Sequence, residues 1–116
     1  MHNFKDLSVW NKAVDLVVKI YQVVDEFPNK EKFNLISQMQ RAATSIPSNI
    51  SEGCGRNSNS SFKHFLSIAL GSSYELETQI FISSRLGYLK ENDFNDLLAR
   101  TIEVQRMLNG LSNSLV

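Results

Sequence analysis

Two histidines, one cysteine and a small set of basic side chains are the groups in this sequence that invite chemistry. His2 and His64 stand far apart, and neither has a Cys or carboxylate beside it at metal-ligand spacing. No metal and no other cofactor is expected. Cys54 lies in "EGCGR" without an evident histidine to activate it, and the Gly-Cys-Gly run reads as a helix stop. The five glycines are scattered, and none forms G-x-G-x-x-G or a Walker pattern. The carboxylates form no convergent set suited to acid–base catalysis. An enzyme is therefore the least supported class.

Anion recognition is the chemistry left. Arg56, Lys63 and Lys5 are expected at one end of the fold. There Arg56 and Lys63, with the first N–H groups of a helix, could hold a phosphate. An ordinary solvated helix end is the plainer alternative. Lys30, Lys32, Arg85 and Lys90 gather at the opposite end, offset by Asp25, Glu26, Glu31 and Glu91. No aromatic residues are expected to interleave with these bases as in a single-strand stacking platform. Arg41 and Glu75 are isolated charges within apolar helices. A buried pair between them would fix register more than add stability; direct binding by Arg41 is the alternative. Trp10, Phe62, Phe65, Tyr74 and Phe81 read as core or interface.

Four helical segments must position these groups. The first is capped by Asp6 or Ser8 and runs to about Glu26, because Pro28 disfavours helix at Phe27. The second spans about Glu31 to Gly53. The third is capped within Ser58 to Ser61 and ends near Gly87. The fourth is capped by Asn92 or Asp93 and spans Phe94 to about Leu115. Strand-like alternation is absent and the connections are short. The expectation is an all-α, single-domain, up-down-up-down four-helix bundle over residues 1–116. Pro47 sits inside the second segment. It should kink that helix, with Ser45, Ser48 and Asn49 satisfying the freed backbone, or else mark a restart there.

The helices are too apolar around their circumference for a lone bundle. In the first, Trp10, Val14, Val17, Val18, Tyr21 and further apolar residues cover an arc of roughly 220°, against the roughly 100° that a surface helix needs. The second has an outer side of Ser37, Gln40, Thr44, Ser48 and Ser51, polar but uncharged. The third contains "FLSIALGSSY", Phe65 to Tyr74, with no charge. Contact with other copies of the chain would cover such surface.

Composition agrees with a globular fold. Of the 116 residues, 42% are hydrophobic and 21% charged, and the formal net charge is +0. Neutrality argues against a generally basic nucleic-acid binder, though not against a local patch. One cysteine excludes an intrachain disulfide, and a cytoplasmic location is expected. "MHNFKDLSVW" has no apolar run of signal-peptide length, and no stretch approaches the ~20 apolar residues of a membrane span.

The blocks "FKDLSVWNKA", "QMQRAATSIPSNISEGCGR", "FLSIALGSSYELETQ" and "LGYL" resemble the bacterial four-helix-bundle proteins encoded in intervening sequences of 23S ribosomal RNA genes, a ribosomal-protein-like family. The resemblance runs from about Phe4 to Leu111. It implies a bundle that assembles into a homo-oligomeric ring, most simply a pentamer. The chain is also similar to accessory proteins of diversity-generating retroelements, which bind reverse transcriptase and nucleic acid. By that resemblance the partners are other copies of the chain, RNA, or a nucleic-acid-processing protein. The family's motif falls on Gln38, Arg41, Ser45, Asn49, Glu52, Gly53 and Arg56, and on Gly71, Ser72, Glu75 and Leu76. The retroelement proteins tend to be basic, and this neutral chain departs from them. A protein-interaction scaffold without nucleic-acid contact is the alternative function.

Overall fold

The computed structural model describes residues 3–116, so the expectation for His2 lies outside it. Four helices dominate: α1 (Ser8–Val24), α2 (Leu35–Cys54), α3 (Asn59–Arg85) and α4 (Glu91–Ser114). Short 3-10 turns at Phe4–Asp6 and Asn29–Glu31 precede α1 and α2. Among the described residues there is no strand.

Each boundary has a local cause. Ser58 caps α3 as expected, its hydroxyl accepting from the Ser61 N–H at 3.1 Å. Gly87 follows α3 with φ +81°, a conformation that L side chains rarely adopt, and reverses the chain. The start of α1 differs from expectation. Neither Asp6 nor Ser8 caps it; Leu7 does so by backbone alone, while Asn11 reaches back to the Lys5 and Leu7 carbonyls at 2.9 and 3.0 Å. Helix α2 begins four residues later than Glu31, because Asn29–Glu31 winds as a 3-10 turn and Asn34 leaves helical space at φ −122°, ψ −106°. Helix α4 begins earlier than Phe94. Lys90 takes the cap position without a side-chain bond, and Glu91 and Asp93 lie in the first turn, where the helix dipole favours negative charge.

Pro47 does not end α2, and no restart occurs there: the helix runs unbroken through it. Proline removes one N–H, but Ala43, Ile46 and Ile50 are fully buried on both sides of the site. Their packing holds the turn together. Asn49 donates to the Ser45 carbonyl and hydroxyl at 2.8 and 3.0 Å. The side chain thus serves the turn beside the lost bond.

Cross-helix contacts give the topology. Ser45 meets Ser72 and Met39 meets Ser83, so α2 and α3 run in opposite directions. Lys12 pairs with Glu103 and Lys19 with Asp93 across α1 and α4. Gln105 donates to Glu77, and Phe94 packs on Phe81, across α3 and α4. Each helix packs on its two neighbours, and the diagonal pairs do not meet. One hydrophobic core fills the centre, with Leu16, Ile20, Met39, Ile46, Leu66, Leu76, Leu97 and Leu108 essentially solvent-free. At one end, the Tyr88 hydroxyl donates to Glu31 at 2.8 Å and ties the two loops together.

Candidate functional site

The connection between α2 and α3 carries the strongest candidate, Arg56. Its Nη2 lies 2.9 Å from Glu52 Oε2, one turn back on α2. Its guanidinium carbon stands 4.7 Å from the centre of the Phe65 ring on α3. Stacking on a ring while pairing with a carboxylate suits arginine's planar head. Glu52 already occupies part of that head and offsets its positive charge.

Lys63 and Phe65 are two residues apart on α3, about 200° around its axis at roughly 100° per residue. Phe65 turns to Arg56, so Lys63 is directed to the opposite flank, exposed. Lys5 lies in the 3-10 turn at the same end of the bundle, with its ammonium 6.0 Å from the Phe4 ring. The three basic residues thus share an end of the fold, but Arg56 and Lys63 flank α3 rather than converge.

The motif residues sort onto the α2/α3 face. Gln38, Arg41, Glu52, Gly71 and Glu75 are exposed there; Ser45, Asn49 and Ser72 are half-buried; Leu76 is core. Ser45 and Ser72 hydroxyls bond at 2.9 Å and join the helices. Gly53 serves packing: a Cβ there would stand 2.7 Å from Phe65 Cβ and 2.9 Å from Phe62 Cδ1, so α3 can cross only over a glycine. Gly71 is different, because a Cβ there would meet nothing within 4 Å.

Arg41 and Glu75 do not form the buried pair expected of them. Both are exposed, and no ion pair joins them. The α2/α3 interface is joined instead by the Ser45–Ser72 bond among small and apolar residues, and both charges stay at the surface, where water solvates them. Beneath this face, the Gln79 amide oxygen is buried without a hydrogen-bond partner.

A second surface was not evident in the sequence. Tyr21, Asp25, Lys32, Phe33, Ile36 and Gln40 line a cleft of about 550 Å³ between α1 and α2. Phe33 is 85% exposed, with the Lys32 ammonium 5.6 Å from its ring centre. Single basic–aromatic contacts thus occur here and at Arg56. The signal was the adjacent "KF" at Lys32–Phe33, hidden because those residues read as helix and not as a turn.

Other chemistry finds little footing. Cys54 is buried, and burial pushes its thiol above the ordinary range, the opposite of an activated nucleophile. Among the described residues, no three His, Cys, Asp or Glu side chains gather to hold a metal ion. No helix of the described residues is long and apolar enough to cross a membrane.

Relatives share this architecture. A crystal structure, at 1.70 Å resolution, of a protein of unknown function from the S23 ribosomal protein family of Bacteroides thetaiotaomicron superposes with a TM-score of 0.84. It is 25% identical in sequence, and the match covers 91% of this chain and 96% of that one. Comparison with curated proteins yields no match. The profile of the 23S rRNA-intervening sequence proteins matches residues 5–110, which takes in α1, α2, α3 and most of α4. With four helices, the α2/α3 motif and that profile in agreement, the chain belongs to the 23S rRNA-intervening sequence protein family.

Proposed function

We propose that this chain is a non-enzymatic subunit of a homo-oligomeric ring, most simply a cytoplasmic pentamer, that engages RNA or an RNA–protein complex. One observation carries the reading: the single chain leaves Val18, Tyr21, Phe33, Ile68 and Ile82 at 39–85% exposure on faces with few charges. Large exposed apolar side chains in such number suit contact with other copies, since extended apolar patches are uncommon on soluble monomers. Repetition around a ring would multiply a modest basic end, with Arg56, Lys63 and Lys5 from each copy, into a polyvalent one. Arg41 is the further candidate.

Solution mass and RNA binding test the two halves. Light scattering should give a multiple of the 13.2 kDa chain. Binding to structured and single-stranded RNA should be weak and fall steeply with salt, as counterion release requires. No binding to either RNA at low salt defeats the RNA half. A second reading, a protein scaffold without nucleic-acid contact, is favoured by neutral charge and by the Glu52 carboxylate on Arg56. A protein partner retained after nuclease treatment would support it.

A further inference from the structure

We infer that the cleft between the end of α1 and the start of α2 binds a guanosine 5′-phosphate unit, as a free nucleotide or as one nucleotide of a single strand. Tyr21 and Phe33 stack on the base, Asp25 holds its Watson–Crick edge, and Lys32 holds the phosphate. The inference goes beyond the function proposed above, which names no base and places Arg56, Lys63 and Lys5 at the other end of the bundle.

The cleft has the size and lining of a small-molecule site. Its volume of about 550 Å³ falls within the roughly 300–1,000 Å³ usual for such sites. Val24, Phe27 and Ile36 give it apolar walls, and Tyr21 and Phe33 add two rings. Phe27 already packs on Tyr88. Tyr21 and Phe33 have no ring partner among the described residues, and they are 46% and 85% exposed. Free aromatic faces suit an unstacked base, because every base has a π-face. Val18, Ile68 and Ile82 do not line the cleft and remain for contact between copies.

Charge gives the cleft a direction. Asp25 caps the C-terminus of α1, and Lys32 stands just before the N-terminus of α2. Each lies at the helix end whose dipole carries its own sign, where the dipole disfavours it. Neither is relieved by an ion pair or a side-chain hydrogen bond among the described residues. They line one cleft without closing on each other.

The α2 side carries more donors than Lys32. The Leu35, Ile36 and Ser37 N–H groups make no backbone hydrogen bond, and no side chain caps them. Ile36 and Ser37 themselves line the cleft. The α1 side therefore accepts hydrogen bonds and the α2 side donates them, with rings between. A fitting ligand has N–H donors at one end, an anion at the other and a flat ring system in the middle.

A guanosine phosphate meets all three demands. A carboxylate offers two acceptor oxygens and no donor. The Watson–Crick edge of guanine presents two adjacent donors, N1–H and the 2-amine. Adenine and cytosine place an acceptor beside their donor there, and uracil flanks its one donor with acceptors. Gln40 also lines the cleft, and its side-chain amide, which makes no hydrogen bond, can donate to the guanine O6. The Lys32 ammonium, over the Phe33 ring at 5.6 Å, pairs with the phosphate on a stacked base.

The test is calorimetry on the full chain. Guanosine 5′-phosphate should bind, and the adenosine, cytidine and uridine phosphates should bind about fivefold or more weakly. Inosine 5′-phosphate, which lacks only the 2-amine, should lose about as much, and so should guanosine without phosphate. Asp25→Asn should abolish the preference for guanosine phosphate over inosine phosphate. Lys32→Gln should weaken guanosine phosphate and leave guanosine unchanged. Phe33→Ala should weaken every nucleotide about fivefold or more at unchanged assembly mass, and Lys63→Gln should weaken none. An octamer of uridines with one central guanosine separates the two sources. Tighter binding than guanosine phosphate assigns the site to a strand, weaker binding assigns it to the free nucleotide, and both support the site. Equal binding of the guanosine and inosine phosphates overturns it. A fall in assembly mass on Phe33→Ala makes the cleft a contact between copies and overturns it too. RNA binding without any guanosine phosphate binding at millimolar concentration overturns this cleft and leaves the function proposed above standing.

Discussion

Helices α2 and α4 occupy opposite corners of the bundle and both bury a largely apolar stripe, yet their outer surfaces are unlike. Ile46 and Ile50 of α2 are as solvent-free as Leu97 and Leu108 of α4. Outside, α4 carries Glu91, Asp93, Asp96, Arg100, Glu103 and Arg106, with ion pairs to α1 and along its own length. Helix α2 carries only Arg41 and Glu52. A helix built for water recruits charge; one built for close contact does without it, because desolvating a charge is costly. The inner stripes report folding, and the outer surfaces report what each helix is meant to meet.

The largest effects should test the inner likeness. Ile46→Ala in α2 and Leu97→Ala in α4 should each cost about 2–5 kcal/mol, read from denaturant unfolding. A cost below 1 kcal/mol at either site would mean its stripe is not core. Pro47→Ala, which restores an N–H to α2, should raise stability by up to about 3 kcal/mol if the packed turn accepts it. A fall in melting temperature would show that the turn is shaped around proline. Gly53→Ala should destabilise by about 1–3 kcal/mol through its clash with Phe65 and Phe62, seen as a lower melting temperature.

Smaller effects should expose the outer difference. Gly71→Ala and Gly110→Ala both add a methyl group to open space on the single chain. Each should favour its helix by roughly 0.5–1 kcal/mol. On the assembly they should part: Gly110→Ala leaves the mass distribution unchanged, while Gly71→Ala shifts it toward smaller species on sedimentation. Equal behaviour of the two would remove the distinction between the faces. Glu103→Gln, which breaks the exposed Lys12 pair, should change stability by less than about 1 kcal/mol and leave the mass alone.

Much of this architecture was readable beforehand, for local reasons. Pro28, Ser58 and Gly87 act within a few residues of themselves, so the stop of α1, the cap of α3 and the turn after it followed from residue type. Boundaries failed where backbone geometry competed with side-chain preference. Asn29–Glu31 wound as a 3-10 turn, and Lys90 capped α4 without using its side chain. The candidate site was less legible. The Arg41–Glu75 pair was drawn from their isolation among apolar neighbours, but isolation along a helix does not say which way a side chain turns. The stacking of Arg56 on Phe65 and the exposure of Phe33 depend on how α3 and the α1–α2 turn lie, which no local pattern encodes.

The order of residues alone determined four helices, their sequence and the two unusually uncharged outer surfaces, because helical period and capping are short-range properties. The tertiary structure decided rotation and register: that Gly53 lets α3 cross closely, that Ser45 meets Ser72, and that Arg41 and Glu75 end outside. Those outcomes come from fitting all four stripes around one core at once. A turn of a few degrees in one helix moves every side chain on it, so they belong to the packed whole and not to any segment.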